Sequence, residues 1–118
     1  MNSDTKLSLE YDFYGALLTK RQSEVMQLYH EENLSLSEIA EEFGISRQGV
    51  HDALKNAQEA LATYEEKLGL VERFEKTSAA VTRIDRIIDS IREKKKTEGR
   101  DIDSGLDEIK DIIDSLDY

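Results

Sequence analysis

Five polar side chains, Arg47, Gln48, His51, Asp52 and Lys55, follow a serine, Ser46, at positions that a helix would gather on one face. At 3.6 residues per turn they fall within one broad stripe. A guanidinium can bridge the two acceptors of a guanine edge, and a carboxamide can pair with adenine. This is the residue set of a helix that reads base edges, with Asp52 as the member that opposes phosphate. Gly49 lies among them and leaves room for close approach to the backbone. Ser46 can satisfy free N–H groups at the helix start. Lys20 and Arg21 complete the candidate set. A positive patch joining Lys20, Arg21, Arg47 and Lys55 favours DNA as partner, and a negative surface there favours a protein.

Such a helix needs a support that fixes its angle and its start. The stretch "SEIAEEFGISRQGVHDALKNA", residues 37–57, supplies one. Ser35 or Ser37 caps a short helix whose buried side is Leu36, Ile39, Ala40 and Phe43. Gly44 follows its last turn, where a left-handed residue is usual. Ile45 is expected to plug inward, and Ser46 to cap the next helix. Ala40 is small where the two helices cross, and Ile39, Phe43, Ile45, Val50 and Ala53 form the wedge between them. This is the helix-turn-helix arrangement. The competing reading is a helical hairpin inside a core, with an ordinary polar outer face. The small residue, the glycine, the apolar positions and the second cap all fall at the offsets that a helix-turn-helix requires.

The flanking segments read as helices too. Ser8 can cap a helix over LEYDFYGALL, with Tyr11, Tyr14, Leu17 and Leu18 on one face. The rings of Tyr11, Phe13 and Tyr14 could stack on nucleic acid, but beside Leu17 and Leu18 they read better as core, with one ring exposed. Thr19 with Gln22 makes a capping box that opens a second helix, its apolar face Val25, Leu28 and Tyr29 with Met26 flanking. The helix after Ser46 meets no stop until Gly69, and its inward residues are Val50, Leu54, Ala57, Leu61, Tyr64 and Leu68. Beyond it, Leu70, Phe74, Thr77, Val81, Ile84, Ile88 and Ile91 step at heptad spacing, as do Ile102, Leu106, Ile109, Ile113 and Leu116. EKKKTEGRD between these two stretches reads as a solvated loop. The expected fold is all-α: a helix-turn-helix domain over residues 1–60, then a heptad-patterned helical extension over 61–118 suited to homodimerisation.

Composition narrows the function. The 118 residues hold no cysteine and no proline, and 36% are charged. Disulfides, thiolate metal sites and cysteine nucleophiles are excluded. No apolar stretch is long enough to span a membrane, and MNSDTKLSLEYDF has no signal-peptide character, so the cytoplasm is the expected location. His30 and His51 stand far apart, with no acid at metal spacing to both. No phosphate loop, nucleophile elbow or zinc-protease motif occurs, so neither catalysis nor a cofactor is expected. Net charge is −10 and uneven. Residues 70–96 carry +3, eight basic against five acidic, and residues 97–118 carry −6, two basic against eight acidic. Arg92, Lys94, Lys95 and Lys96 are therefore expected to pair with the aspartates that come after them. So acidic a chain is in general a poor partner for phosphate backbones.

"LSLEYDFYGALLTKRQSEVMQLYHEENLSLSEIAEEFGISRQGVHDALKNAQEALATYEEKLGL" resembles the YlxM family of small helix-turn-helix proteins of Gram-positive bacteria. "DFYGALLT" and "SLSEIAEEFGISRQGVHDAL" carry the resemblance, which covers roughly residues 7–70. This half is also similar to region four of bacterial sigma factors, which reads promoter elements. Gly49 and His51 depart from the more usual Ala and Tyr, and the last forty residues resemble the family in composition only. The family resemblance implies a link to the signal recognition particle pathway, because its genes sit beside those of that machinery.

Two functions stand as alternatives. One is a dimeric DNA-binding regulator. The other is a protein- or RNA-interaction accessory of the signal recognition particle, in which the helix-turn-helix is a scaffold and the acidic surface meets a basic partner.

Overall fold

The computed structural model describes residues 3–94 and 102–116. Among the described residues the protein is all-α, with no strand. Its helices are α1 (Ser3–Tyr14), α2 (Lys20–Met26), α3 (Leu36–Phe43), α4 (Arg47–Leu68), α5 (Leu70–Lys94) and α6 (Ile102–Ser115). They form two compact units, Met1–Val71 and Glu72–Tyr118. All of α4 and the first residues of α5 therefore belong to the first unit.

In the first unit α1, α2 and α3 all pack against α4. The largest fully buried side chains are Tyr14, Val25, Ile39, Val50, Leu61 and Val71. Each contributes roughly 1.5–3 kcal/mol through removal of apolar surface from water. Along α4 the buried positions are Val50, Leu54, Ala57 and Leu61, as heptad spacing predicts, while Leu68 at its end is exposed.

Local signals set the boundaries. Thr19 Oγ1 accepts from Gln22 N–H at 3.2 Å, and Gln22 Oε1 accepts from Thr19 N–H at 3.1 Å, so α2 opens with a full capping box. Ser35, and not Ser37, caps α3, and it does so reciprocally with Glu38. Gly69 ends α4 with φ +64°. Ser8 caps nothing: α1 starts by Ser3 and runs through it. After Tyr14 the chain tightens into a 3-10 turn, Gly15–Leu17, which turns Leu17 out to solvent and breaks the face expected for that helix. Of the three neighbouring rings Tyr14 is buried, Tyr11 half-buried and Phe13 exposed.

Helix α2 continues into a wide π-helical turn, Gln27–Glu31, in which Glu32 N–H donates to Gln27 O at 3.2 Å. The extra residue rotates the positions beyond Met26. Met26 is buried, Leu28 is half-buried, and Tyr29 stands 39% exposed, where plain helical spacing placed it on the core face.

In the second unit α5 and α6 keep half of the expected inward row, Thr77, Ile84 and Ile91 on α5 and Ile102 and Ile109 on α6 with Leu116 just after it, and exchange the alternate positions for their neighbours. The Cβ position of Gly105 lies 2.7 Å from Ile91 Cδ1 and 3.4 Å from Ile87 Cγ2. Ala80 on α5 and Ile112 on α6 are buried, with Thr77, Ile84, Ile87 and Ile91 half-buried on α5. Val81 and Ile88, expected inward on α5, are exposed, as are Leu106 and Ile113 on α6. Both helices are apolar at adjacent heptad positions, so spacing alone allows two facings. The lack of a side chain at Gly105 admits Ile91 and selects one of them. Arg83 approaches Glu108 to 3.9 Å, a weak exposed pair. Helix α5 runs through Glu93 and Lys94, the first two residues of the stretch expected as a loop. Residues 95–101, with lysines 95 and 96 of the basic cluster and Asp101 of their expected partners, lie outside the described residues, as does Asp117.

Candidate nucleic-acid interface

The turn between α3 and α4 is built from backbone bonds. Gly44 takes φ +65°, a left-handed value that costs a residue with a Cβ. Its N–H donates to Glu41 O at 3.3 Å, and Ile45 N–H donates to Ala40 O at 3.0 Å. This pair of bonds is the Schellman closure, and it satisfies the last carbonyls of α3. Ile39 and Val50 are fully buried between the helices, and Ala40 is buried at the crossing. Phe43 and Ala53 are half-buried. Ile45 is 36% exposed and does not plug the core. The turn is held by its backbone bonds, so the side chain is free to lie at the surface.

Ser46 starts α4. Its Oγ accepts from Gly49 N–H at 3.0 Å, and its carbonyl accepts from Val50 N–H at 3.1 Å. Gly49 turns its empty Cβ position toward this cap: a carbon there would stand 3.2 Å from Ser46 Oγ and 3.8 Å from Ile45 Cδ1. The space it leaves is thus directed at the serine and the isoleucine.

Arg47, Gln48, His51, Asp52 and Lys55 are all exposed on the first half of α4. Gln48 Nε2 donates to Asp52 Oδ1 at 2.9 Å, a bond across one helical turn. His51 Nδ1 lies 3.6 Å from the same oxygen, an ion pair only when the imidazole is protonated. The aspartate thus fixes the carboxamide of Gln48 in one orientation. Arg47 and Lys55 have no ion pair or side-chain hydrogen bond to other described residues.

Arg21 reaches this end of the domain from α2. Its guanidinium sits 4.4 Å from the centre of the Phe43 ring, at the last residue of α3. The stack holds the cation beside the turn that leads into α4. Lys20 is nearly free in solvent, at 4.0 Å from Glu24. Spacing gives no hint of the Arg21–Phe43 stack, because the two residues belong to different helices. The outer side of α3 presents Glu38, Glu41 and Glu42 to solvent, so the neighbourhood carries both signs of charge.

The other histidine, His30, lies 3.4 Å from Gln58 Nε2, on α4 beyond Lys55, and meets the Tyr29 ring edge-on at 5.0 Å. Among the described residues no cluster of His, Asp and Glu could hold a metal ion, and no helix is long and apolar enough to cross a membrane.

A family profile described as "Putative helix-turn-helix protein, YlxM / p13 like" matches residues 1–102. The chain belongs to this family, UPF0122. A UPF0122 protein of Desulforamulus reducens is 41% identical over 109 residues, 92% of each chain. One from Thermoanaerobacter sp. (strain X514) is 47% identical over 90 residues, 76% of this chain and 77% of the relative. A third, from Bacillus cereus (strain Q1), is 34% identical over 117 residues, 99% of each. The resemblance read from "DFYGALLT" and the residues around Gly44 thus extends, in the UPF0122 profile, past the end of α5 to Ile102, and in the Bacillus cereus relative over 117 residues, so the last forty residues resemble the family in more than composition.

Proposed function

We propose that this UPF0122 chain is a DNA-binding regulatory protein of the cytoplasm that reads duplex DNA with the first half of α4. One observation carries the reading. Every structural duty at the turn is met by Gly44, Ser46, Ile39 and Val50, while Arg47 and Lys55 project to solvent without partners among the described residues. Arg47, one residue past the cap, is where a recognition helix touches base edges, and its fork suits guanine. Gln48, held by Asp52, presents its carboxamide in a fixed direction. Lys55, Lys20 and the Phe43-stacked Arg21 serve phosphates. Asp52 weakens non-specific binding, so affinity rests on matched bases more than on backbone charge.

Paired half-sites need two copies of α4. The exposed row of Val81, Ile88, Leu106 and Ile113 supports a homodimer formed through the second unit, since a self-complementary apolar face suits a two-fold contact.

The net charge of −10 favours a second reading. In it the helix-turn-helix is a scaffold, and the acidic surface meets a basic protein or an RNA-associated partner of the signal recognition particle.

Selection of bound fragments from a random duplex library at about 0.15 M salt, near physiological ionic strength, tests the first reading. An enriched motif whose binding is lost in Arg47→Ala supports it. No enrichment, together with nuclease-resistant capture of a signal recognition particle protein from cytoplasm, supports the second.

A further inference from the structure

Helix α1 and the π-helical turn after α2 border a half-open cavity of about 570 Å³. None of its lining residues belongs to α3 or α4, so it is separate from the candidate reading face. The volume falls within the range of small-ligand sites. Leu7 and the buried Met26 give it an apolar wall, and the rings of Tyr11 and Tyr29 stand beside them. Asp4 and Glu31 bring carboxylates to it, and the lining holds no lysine or arginine. The position of Tyr29 is a product of the wide turn. Regular helix would carry this ring to the core face, whereas here Leu28 is half-buried and Tyr29 lines the cavity.

We infer that this cavity binds an organic cation: an alkylammonium or guanidinium group on a short apolar stem. The stem matches Leu7 and Met26. The cationic head matches the electron-rich faces of Tyr11 and Tyr29 and the charge of Asp4 and Glu31. An anion would meet two carboxylates, with the imidazole of His30 as the one side chain of the lining that can carry positive charge, and a purely apolar ligand would leave the carboxylates unused. A free diamine or polyamine and the lysine or arginine side chain of a basic peptide both carry this chemistry.

Titration of the full chain with cadaverine, spermidine, a tri-lysine peptide and uncharged pentanol, followed by NMR, tests the inference. The expected result is saturable binding of the cationic probes that shifts the methyl signals of Leu7 and Met26. Pentanol should produce no such shift. Asp4→Asn with Glu31→Gln should weaken binding tenfold or more at an unchanged thermal midpoint, and Tyr29→Ala should do the same. If Tyr29→Ala unfolds, the exposed carboxylate pair decides alone. Tighter binding of tri-lysine than of cadaverine identifies a peptide as the source of the cation, and the reverse identifies a free amine. Shifts spread over all acidic surfaces, or binding indifferent to the double variant, overturn the proposal as plain counterion condensation. The readout does not involve DNA, so its failure leaves the reading of α4 untouched.

Discussion

The hydroxyl of Tyr14 donates to Oε1 of Glu65 at 2.6 Å and accepts the backbone N–H of Leu70 at 2.9 Å. The same Glu65 oxygen accepts the N–H of Val71 at 2.9 Å. Two first-turn donors of α5 are therefore satisfied from α1 and α4. The residue before α5 is Gly69, which has no side chain to cap with, so partners distant in sequence do the work of a local serine or aspartate. A carboxylate at this helix start is also favoured by the helix dipole.

Replacing Tyr14 with phenylalanine removes that hydroxyl and leaves Leu70 N–H and Glu65 each short of a partner. The expected loss is about 1–3 kcal/mol of stability with the fold retained, measured by urea denaturation. Burial, reinforced by the bond to Glu65, raises the Tyr14 phenol above its ordinary value of 10.0. A group that ionises less readily when folded stabilises below the unfolded value, and that stability is lost as pH rises through the folded one. The difference between wild type and Tyr14→Phe should therefore narrow above pH 10.

Glu10 is the buried charged residue of this corner, at 5% exposure. Burial raises its carboxyl above the ordinary 4.5; Lys6 opposes the shift and Glu65 adds to it. A raised carboxylic acid means that the folded state binds its proton more tightly than the unfolded one. The associated stability is full below pH 4.5 and is lost as pH rises through the folded value. Glu10→Gln keeps the shape without the charge. It should unfold at a higher temperature than wild type at pH 7, with the gap closing toward pH 4. An equal or lower midpoint at pH 7 would show that Glu10 gains more from Lys6 than it loses by burial.

Gly44 tests the turn in isolation. A side chain there would meet nothing within 4 Å, so any cost arises from its φ of +65° alone. Gly44→Val should cost roughly 1–3 kcal/mol, because a branched residue is strained in the left-handed region. Gly44→Ala should cost less. A valine variant as stable as wild type would refute a backbone role for this glycine.

The features legible in the sequence are local ones. The boxes at Thr19 and Ser35, the cap at Ser46 and the left-handed Gly44 depend on neighbours within a few residues, and pattern reading finds them, with Ser37 left as a competitor for Ser35. Contacts across the chain are not legible. Tyr14 and Glu65 are far apart in sequence, as are Arg21 and Phe43, and no periodicity links either pair. The π turn moves Tyr29 outward because one inserted residue changes the phase of every position after it. In α5 the sequence offers Ala80 beside Val81 and Ile87 beside Ile88. Only the close approach at Gly105 decides which member of each pair faces α6.

Arg47→Ala should weaken binding to a selected DNA site by about 1–3 kcal/mol and relax preference at one base position. Lys55→Ala should weaken all sequences alike and lower the salt dependence by about one ion. Fluorescence anisotropy at several salt concentrations separates the two effects. A folded Arg47→Ala variant with unchanged affinity and motif removes base reading from this residue.

The second unit leaves Val81 and Ile88 on α5 and Leu106 and Ile113 on α6 exposed, each pair one heptad apart. Covering one such side chain is worth roughly 1.5–3 kcal/mol, and a row of four on one hairpin is an uncommon surface for a monomer. Symmetric pairing covers the row with residues of the same kind, and the heptad spacing suits helices that lie nearly parallel. Ile84 and Ile91 are half-buried, so changing them would damage the hairpin and confuse the result. Val81→Lys with Ile88→Lys alters exposed positions only. Wild type should scatter light as a dimer at micromolar concentration, and the double variant as a folded monomer that no longer binds palindromic DNA. A wild-type mass near 13.5 kDa, that of one chain, would remove the dimer and with it the paired half-site.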